Sequence, residues 1–204
     1  MKSAQRVMWI AAAVLFTSCI GVKTDITVER DLSGTARLEY TVSRSLLDSG
    51  TLDGNEHWPT IPVGKADFER TVARIEGLTL RSFRERDQGG DRVFEVTLAF
   101  DHVSTLAGFF SANGQQFAYT TEDGRHVLTV LFNGNGGAAG TLMGDVSGEM
   151  AQVYGGDLSD LVKKAFEGYR FDFTISVPGD KKTYSAPMGD LLTSSRQEGL
   201  EISF

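Results

Sequence analysis

The chain has a single cysteine, Cys19, in 204 residues, and that scarcity closes several routes at once. No intrachain disulfide can form, and neither a CxxC redox pair nor a zinc site built on paired thiolates is available. Histidine is nearly as rare. His57, His102 and His126 are scattered, with no HExxH pair, so a metal site would have to be assembled from distant segments, and none is expected. The GxSxG nucleophile elbow is missing. Acid pairs such as Glu85 with Asp87, or Glu198 with Glu201, show only the spacing of ordinary solvent-facing charges, although glycosidase carboxylates come from separate elements and leave no local signature. No catalytic residue and no cofactor is therefore assigned, and the chain reads as non-enzymatic. Positive charge is short as well: 20 Lys and Arg against 27 Asp and Glu give a formal charge of −7, which repels phosphate backbones and argues against nucleic-acid partners.

One apolar run stands out. Residues 7–16 are apolar throughout, follow a basic start at Lys2 and Arg6, and lead through Thr17-Ser18 to Cys19. The run falls short of the roughly 18 residues that cross a bilayer, so it reads as an export signal occupying residues 1–18. Leu15-Phe16-Thr17-Ser18-Cys19 resembles the lipobox of bacterial lipoproteins, with Phe16 where an aliphatic residue is usual. That resemblance implies cleavage before Cys19 and lipidation of its thiol. Each buried methylene adds about 0.8 kcal/mol of membrane affinity, so two or three acyl chains would hold the protein to a membrane essentially permanently. Ile20, not aspartate, follows Cys19, which by analogy with the enterobacterial sorting rule favours the outer membrane where the cell has one.

The remainder, residues 19–204, is long enough for one sizeable core and reads as a single mature domain. Its 23 glycines and 13 phenylalanines point to hairpins with tight turns over an aromatic core. Residues 22–30 and 36–43 alternate apolar with polar around the turn Asp31-Leu32-Ser33-Gly34 and read as an antiparallel hairpin. A long irregular loop over 49–64 carries Trp58, as a lid on the core or as a binding loop. Residues 65–76 have helical spacing through Ala66, Phe68, Val72 and Ile75. A second hairpin spans 78–87 and 92–100, where Arg81, Arg84 and Arg86 lie close enough to Glu85, Asp87 and Glu95 to make a charge-mixed solvated face.

Asp101 is placed to cap a short helix over 103–110, and a third hairpin follows over 116–121 and 126–132 around Asp123-Gly124. The stretch 133–140 contains Gly134, Gly136 and Ala139 in the formal dinucleotide pattern, but the strand before it belongs to a hairpin and not to a βαβ unit, so it reads as a connector or flap. Residues 141–155 and 158–166 read as two helices. Residues 169–177 alternate most cleanly of all and stop at Pro178-Gly179, with weaker edge strands over 181–186 and 199–204.

The order of lipobox, immediate hairpin with a Ser-Gly turn, helix, further hairpins and a late strand running into Val-Pro-Gly resembles the LppM-like bacterial lipoproteins. The matching pieces are Cys19, Asp31-Leu32-Ser33-Gly34, residues 171–179 and the closing 200–204. The C-terminal membrane segment of many members of that family has no counterpart in the sequence. The resemblance implies an α+β domain with a curved antiparallel sheet and a lipid- or glycolipid-sized cavity. The expectation is thus an α+β fold: an antiparallel sheet of successive hairpins, with two to four helices packed on one face. The expected function is that of a membrane-anchored envelope lipoprotein acting as a non-catalytic binding or interaction module for a lipid, another apolar ligand or an envelope protein. The alternatives are an envelope hydrolase acting on glycan or lipid, or a purely structural surface lipoprotein. Phe109, Phe110, Phe117 and Tyr119 are the candidates for lining an apolar cavity, against the alternative that they are ordinary core.

Overall fold

The computed structural model describes residues 20–43, 64–112, 116–132, 160, 163–164, 166–194, 196 and 198–204. Cys19, the Trp58 loop, the glycine-rich stretch 133–140 and the helix expected over 141–155 lie outside the described residues. So does most of the helix expected over 158–166.

Among the described residues nine strands form two sheets. The larger has the order β3-β4-β2-β1-β7-β8, built from β1 (Ile20–Val28), β2 (Gly34–Ser43), β3 (Leu78–Gln88), β4 (Asp91–Phe100), β7 (Arg170–Val177) and β8 (Asp180–Pro187). The smaller has the order β5-β6-β9, from β5 (Gln116–Glu122), β6 (Arg125–Leu131) and β9 (Gly199–Ser203). Three helices complete the described residues: α1 (Lys65–Val72), α2 (Val103–Ala112) and α3 (Met188–Thr193).

This overturns the expectation of an α+β domain on one antiparallel sheet. The described protein is mostly β, its helices are only 8, 10 and 6 residues long, and its main sheet is mixed. β1 pairs antiparallel with β2 but parallel with β7, in register from Val22↔Phe171 to Thr27↔Ser176. Alternation says which residues share a face and nothing about the direction of the strand alongside. The helix read over 65–76 stops at Val72, where Ala73 to Gly77 continue as turns, and Gly77 at φ +80° ends the segment. The six-residue α3 went unread because Pro187 and Gly189 made 187–193 look like a loop.

The inner face of the large sheet is the core. Ile26 and Val28 of β1, Ala36, Leu38, Tyr40 and Val42 of β2, Phe94 to Phe100 at alternate positions of β4, and Phe171 to Val177 at alternate positions of β7 are all buried. In β3, a register shift between Leu80 and Ser82 returns Phe83 to the inner face opposite Val96, which explains the three-residue step from Leu80 to Phe83. On the opposite face charges pair across strands: Arg86 Nε lies 2.9 Å from Glu95 and Arg86 Nη2 3.7 Å from Glu39. Arg92, Asp87 and Glu85 continue the inner-facing rows past the core towards the β3–β4 turn, where Arg92 reaches Asp87 at 3.3 Å and Glu85 at 3.8 Å.

The turns follow from local chemistry. Asp31 Oδ1 accepts both the Ser33 backbone N–H and the Ser33 hydroxyl, holding the β1–β2 turn with Leu32 at φ +68°. Gly34 is required by space: a Cβ there would lie 2.0 Å from the Thr27 carbonyl oxygen and 2.6 Å from the Phe100 ring. At α2 the cap differs from the expectation. The Nδ1 of His102 accepts the Ser104 N–H, whereas Asp101 receives the Thr105 hydroxyl and its own N–H goes to the Gly77 carbonyl.

Candidate functional site

The four aromatic candidates come together between the two sheets. Phe110 of α2 stacks on Phe117 of β5 at 5.3 Å, meets Phe109 edge-on at 5.4 Å and reaches Phe173 of the large sheet at 6.3 Å. Phe109, Phe110 and Phe117 are all buried in this ring-to-ring packing. Tyr119 sits at its rim, half-buried, where its hydroxyl accepts from Thr121 Oγ1 and lies 2.8 Å from His126 Nδ1. His102 packs edge-on against Tyr119, and Phe204 lies 5.4 Å from His126. Among the described residues no group of three or more His, Cys, Asp or Glu is placed to hold a metal ion.

A second aromatic group runs along the inner face of β7 and β8. Phe132 stacks on Tyr184 at 4.4 Å and meets Phe171 and Phe173 at 5.3 and 5.2 Å. Tyr184 donates its hydroxyl to Glu198 Oε2 at 2.5 Å, which ties β8 to the segment leading into β9. Burial, with the Glu198 bond and its negative charge added, pushes the Tyr184 phenol well above its ordinary range.

Two hydroxyls missed at the sequence level mark a further spot on the same face. Thr24 is 2% exposed and Tyr40 7%, and among the described residues neither hydroxyl has a hydrogen-bond partner. They are diagonal neighbours across β1 and β2, since Val22 pairs with Tyr40 and Thr24 with Leu38. Burial alone pushes the Tyr40 phenol far upward, with no hydrogen bond contributing. Phe68 of α1 lies 6.3 Å from the Tyr40 ring. A signal existed in the sequence: a threonine between Val22 and Ile26, and a tyrosine between Leu38 and Val42, both in phase with the buried positions.

Open grooves lined by described residues lie at both ends of β1 in the large sheet. One, of about 800 Å³, is lined by Thr27, Val28, Asp31, Ser176, Val177 and Pro178. It forms where the parallel strands β1 and β7 end and their chains turn away to opposite sides, into β2 and β8. The other, of about 410 Å³, lies beside Gly21 at the opposite end of β1, among Lys23, Glu39, Asp91, Tyr169 and Arg170. Several of its polar groups are already engaged: Tyr169 donates to Asp91 at 3.2 Å, Arg170 donates to Ser185 at 2.6 Å, and Lys23 lies 3.8 Å from Asp25.

No family model and no curated protein matches the sequence. Among solved structures, the chain is similar to the folded domain of the LppM protein of Mycobacterium tuberculosis, determined by NMR. The TM-score is 0.45 at 9% identity, over 92% of this chain and 90% of that one.

Proposed function

We propose that the chain is a lipid-anchored lipoprotein of the bacterial cell envelope, whose folded part acts as a non-catalytic binding module for a lipid or other amphiphile. The anchor rests on the sequence of residues 1–19, and the position of β1 fits it. That strand begins at Ile20, so an acylated Cys19 would leave no tether and would hold the Ile20 end of the large sheet at the membrane surface.

The observation that carries the binding reading is the Thr24–Tyr40 pair. A buried hydroxyl without a partner costs about 1–3 kcal/mol, and such groups are rare in folded proteins without a reason. A ligand with an apolar body and a hydrogen-bonding end would satisfy both hydroxyls while its body takes the place of core side chains. A purely structural lipoprotein has no use for that cost.

Anchoring is tested by feeding producing cells an alkyne-bearing palmitate and following the protein. The native chain is expected to carry the label and enter the detergent phase, and Cys19→Ser to do neither. Label on Cys19→Ser, or an unlabelled native chain, would contradict the anchor.

A further inference from the structure

The two sheets meet at β8 and β9, and they do so without a ladder. β8 is the last strand of the large sheet and β9 the last of the small one, and the two lie against each other with no main-chain pairing between them. Everywhere else along the two sheets, adjacent strands are tied by ladders of five to ten paired residues. Among the described residues the ties across this seam are side-chain ones: the hydroxyl of Tyr184 on Glu198, and the ring of Tyr184 on Phe132. A strand junction held through side chains opens at far lower cost than a ladder, because few backbone bonds must break together.

The seam also leads to the right place. Tyr184 pairs with Phe173, and Phe173 pairs with Thr24, so these three residues form one row across the inner face of β8, β7 and β1. The row ends beside Tyr40. We infer that the β8–β9 seam is the entrance to the interior, with the Tyr184–Glu198 hydrogen bond as its latch and Phe132 as the ring that must swing aside. This rests on the reading of the protein as an amphiphile-binding module. An amphiphile would enter between Tyr184 and Glu198, pass over the faces of Phe132 and Phe173, and deliver its polar end to Thr24 and Tyr40. The latch suits such a ligand: its own polar group can exchange bonds with Tyr184 and Glu198 on the way in, so the opened latch is never left unpaired.

The test uses the full chain in a Cys19→Ser background, which removes the native thiol, and a pyrene-labelled fatty acid as probe. Tyr184→Cys with Glu198→Cys places a thiol on each side of the seam, to be bridged by a reducible bis-methanethiosulfonate. Bridging is expected to slow uptake of the probe at least tenfold, and reduction to restore it. Uptake at the same rate in the bridged and reduced protein would overturn the entrance while leaving the binding reading intact. No uptake by the unbridged Cys19→Ser chain would overturn both. Because the cysteine pair can disturb folding, Tyr184→Phe supplies an independent readout by hydrogen–deuterium exchange. Amides of Asp180–Pro187 and Gly199–Ser203 are expected to exchange at least fivefold faster than in the parent, with β1 and β2 unchanged. No acceleration, or an acceleration spread evenly over both sheets, would overturn the latch.

Discussion

Removing the hydroxyl of Tyr40 should make the ligand-free protein more stable, and removing that of Tyr184 should make it less so. Both rings lie on the inner face of the same sheet, and Tyr→Phe leaves ring packing in place at each, so the comparison isolates one oxygen atom. At Tyr40 that oxygen is buried without a partner among the described residues, and relieving it is worth about 1–3 kcal/mol. At Tyr184 it donates to the Glu198 carboxylate. Hydrogen bonds to charged groups are worth about 1.5–3 kcal/mol, reduced here towards about 1–2 because Tyr184 is only half-buried. For a chain of this length each kcal/mol moves the midpoint by about 2–4 °C, so the two variants should melt several degrees on opposite sides of the parent. The assay is denaturant and thermal unfolding of refolded, ligand-free protein in the Cys19→Ser background. Loss of about 1 kcal/mol or more on Tyr40→Phe would show that the hydroxyl is bonded and would remove the basis for the interior site.

Other consequences are simpler to read. Above about pH 10 the unfolded chain ionises its tyrosines, while the folded state keeps Tyr40 and Tyr184 protonated, so stability should fall as pH rises; both Tyr→Phe changes should flatten that limb. At the acid end, the two bonds from Ser33 hold the Asp31 carboxyl below its ordinary value. NMR titration should find it there and Ser33→Ala should return it upward, and its small contribution to stability is present above the unfolded value and lost as pH falls. Gly34→Ala should cost about 1–3 kcal/mol or more in denaturant unfolding, since the Thr27 carbonyl is backbone and cannot step aside. Arg86→Ala, although it breaks contacts to Glu39 and Glu95, should cost no more than about 1 kcal/mol, and less in high salt, because all three side chains are well exposed.

Strand positions were largely legible, because each inner face announces itself by alternation and each tight turn by residues suited to it. Asp123 at φ +50° followed by Gly124 at φ +77° is the turn that Asp-Gly requires, and the hairpins β1–β2, β3–β4 and β5–β6 form where the pattern placed them. What periodicity does not carry is partnership. Val22 to Thr27 show the same alternation whether the neighbour is β2 running back or β7 running alongside, and the parallel pairing with Phe171 to Ser176 spans nearly 150 residues of chain that no local signal records. Nor does composition tell a lining aromatic from a packed one: Phe110 earned attention for its neighbours in sequence, while its stacking on Phe117 depends on where α2 lands. The buried hydroxyls were visible as residues and invisible as a problem. Thr24 and Tyr40 suit a strand equally well whether bonded or not, and only the three-dimensional arrangement shows what surrounds them.

The central claim, that this is a membrane module built to hold an amphiphile, meets its most direct test in native mass spectrometry of the Cys19→Ser chain, expressed in a bacterial envelope and gently purified. A co-purifying species of discrete mass, lost in the Thr24→Val, Tyr40→Phe double variant, is the predicted result. A clean protein mass from the parent chain, under conditions that keep the fold, would contradict it.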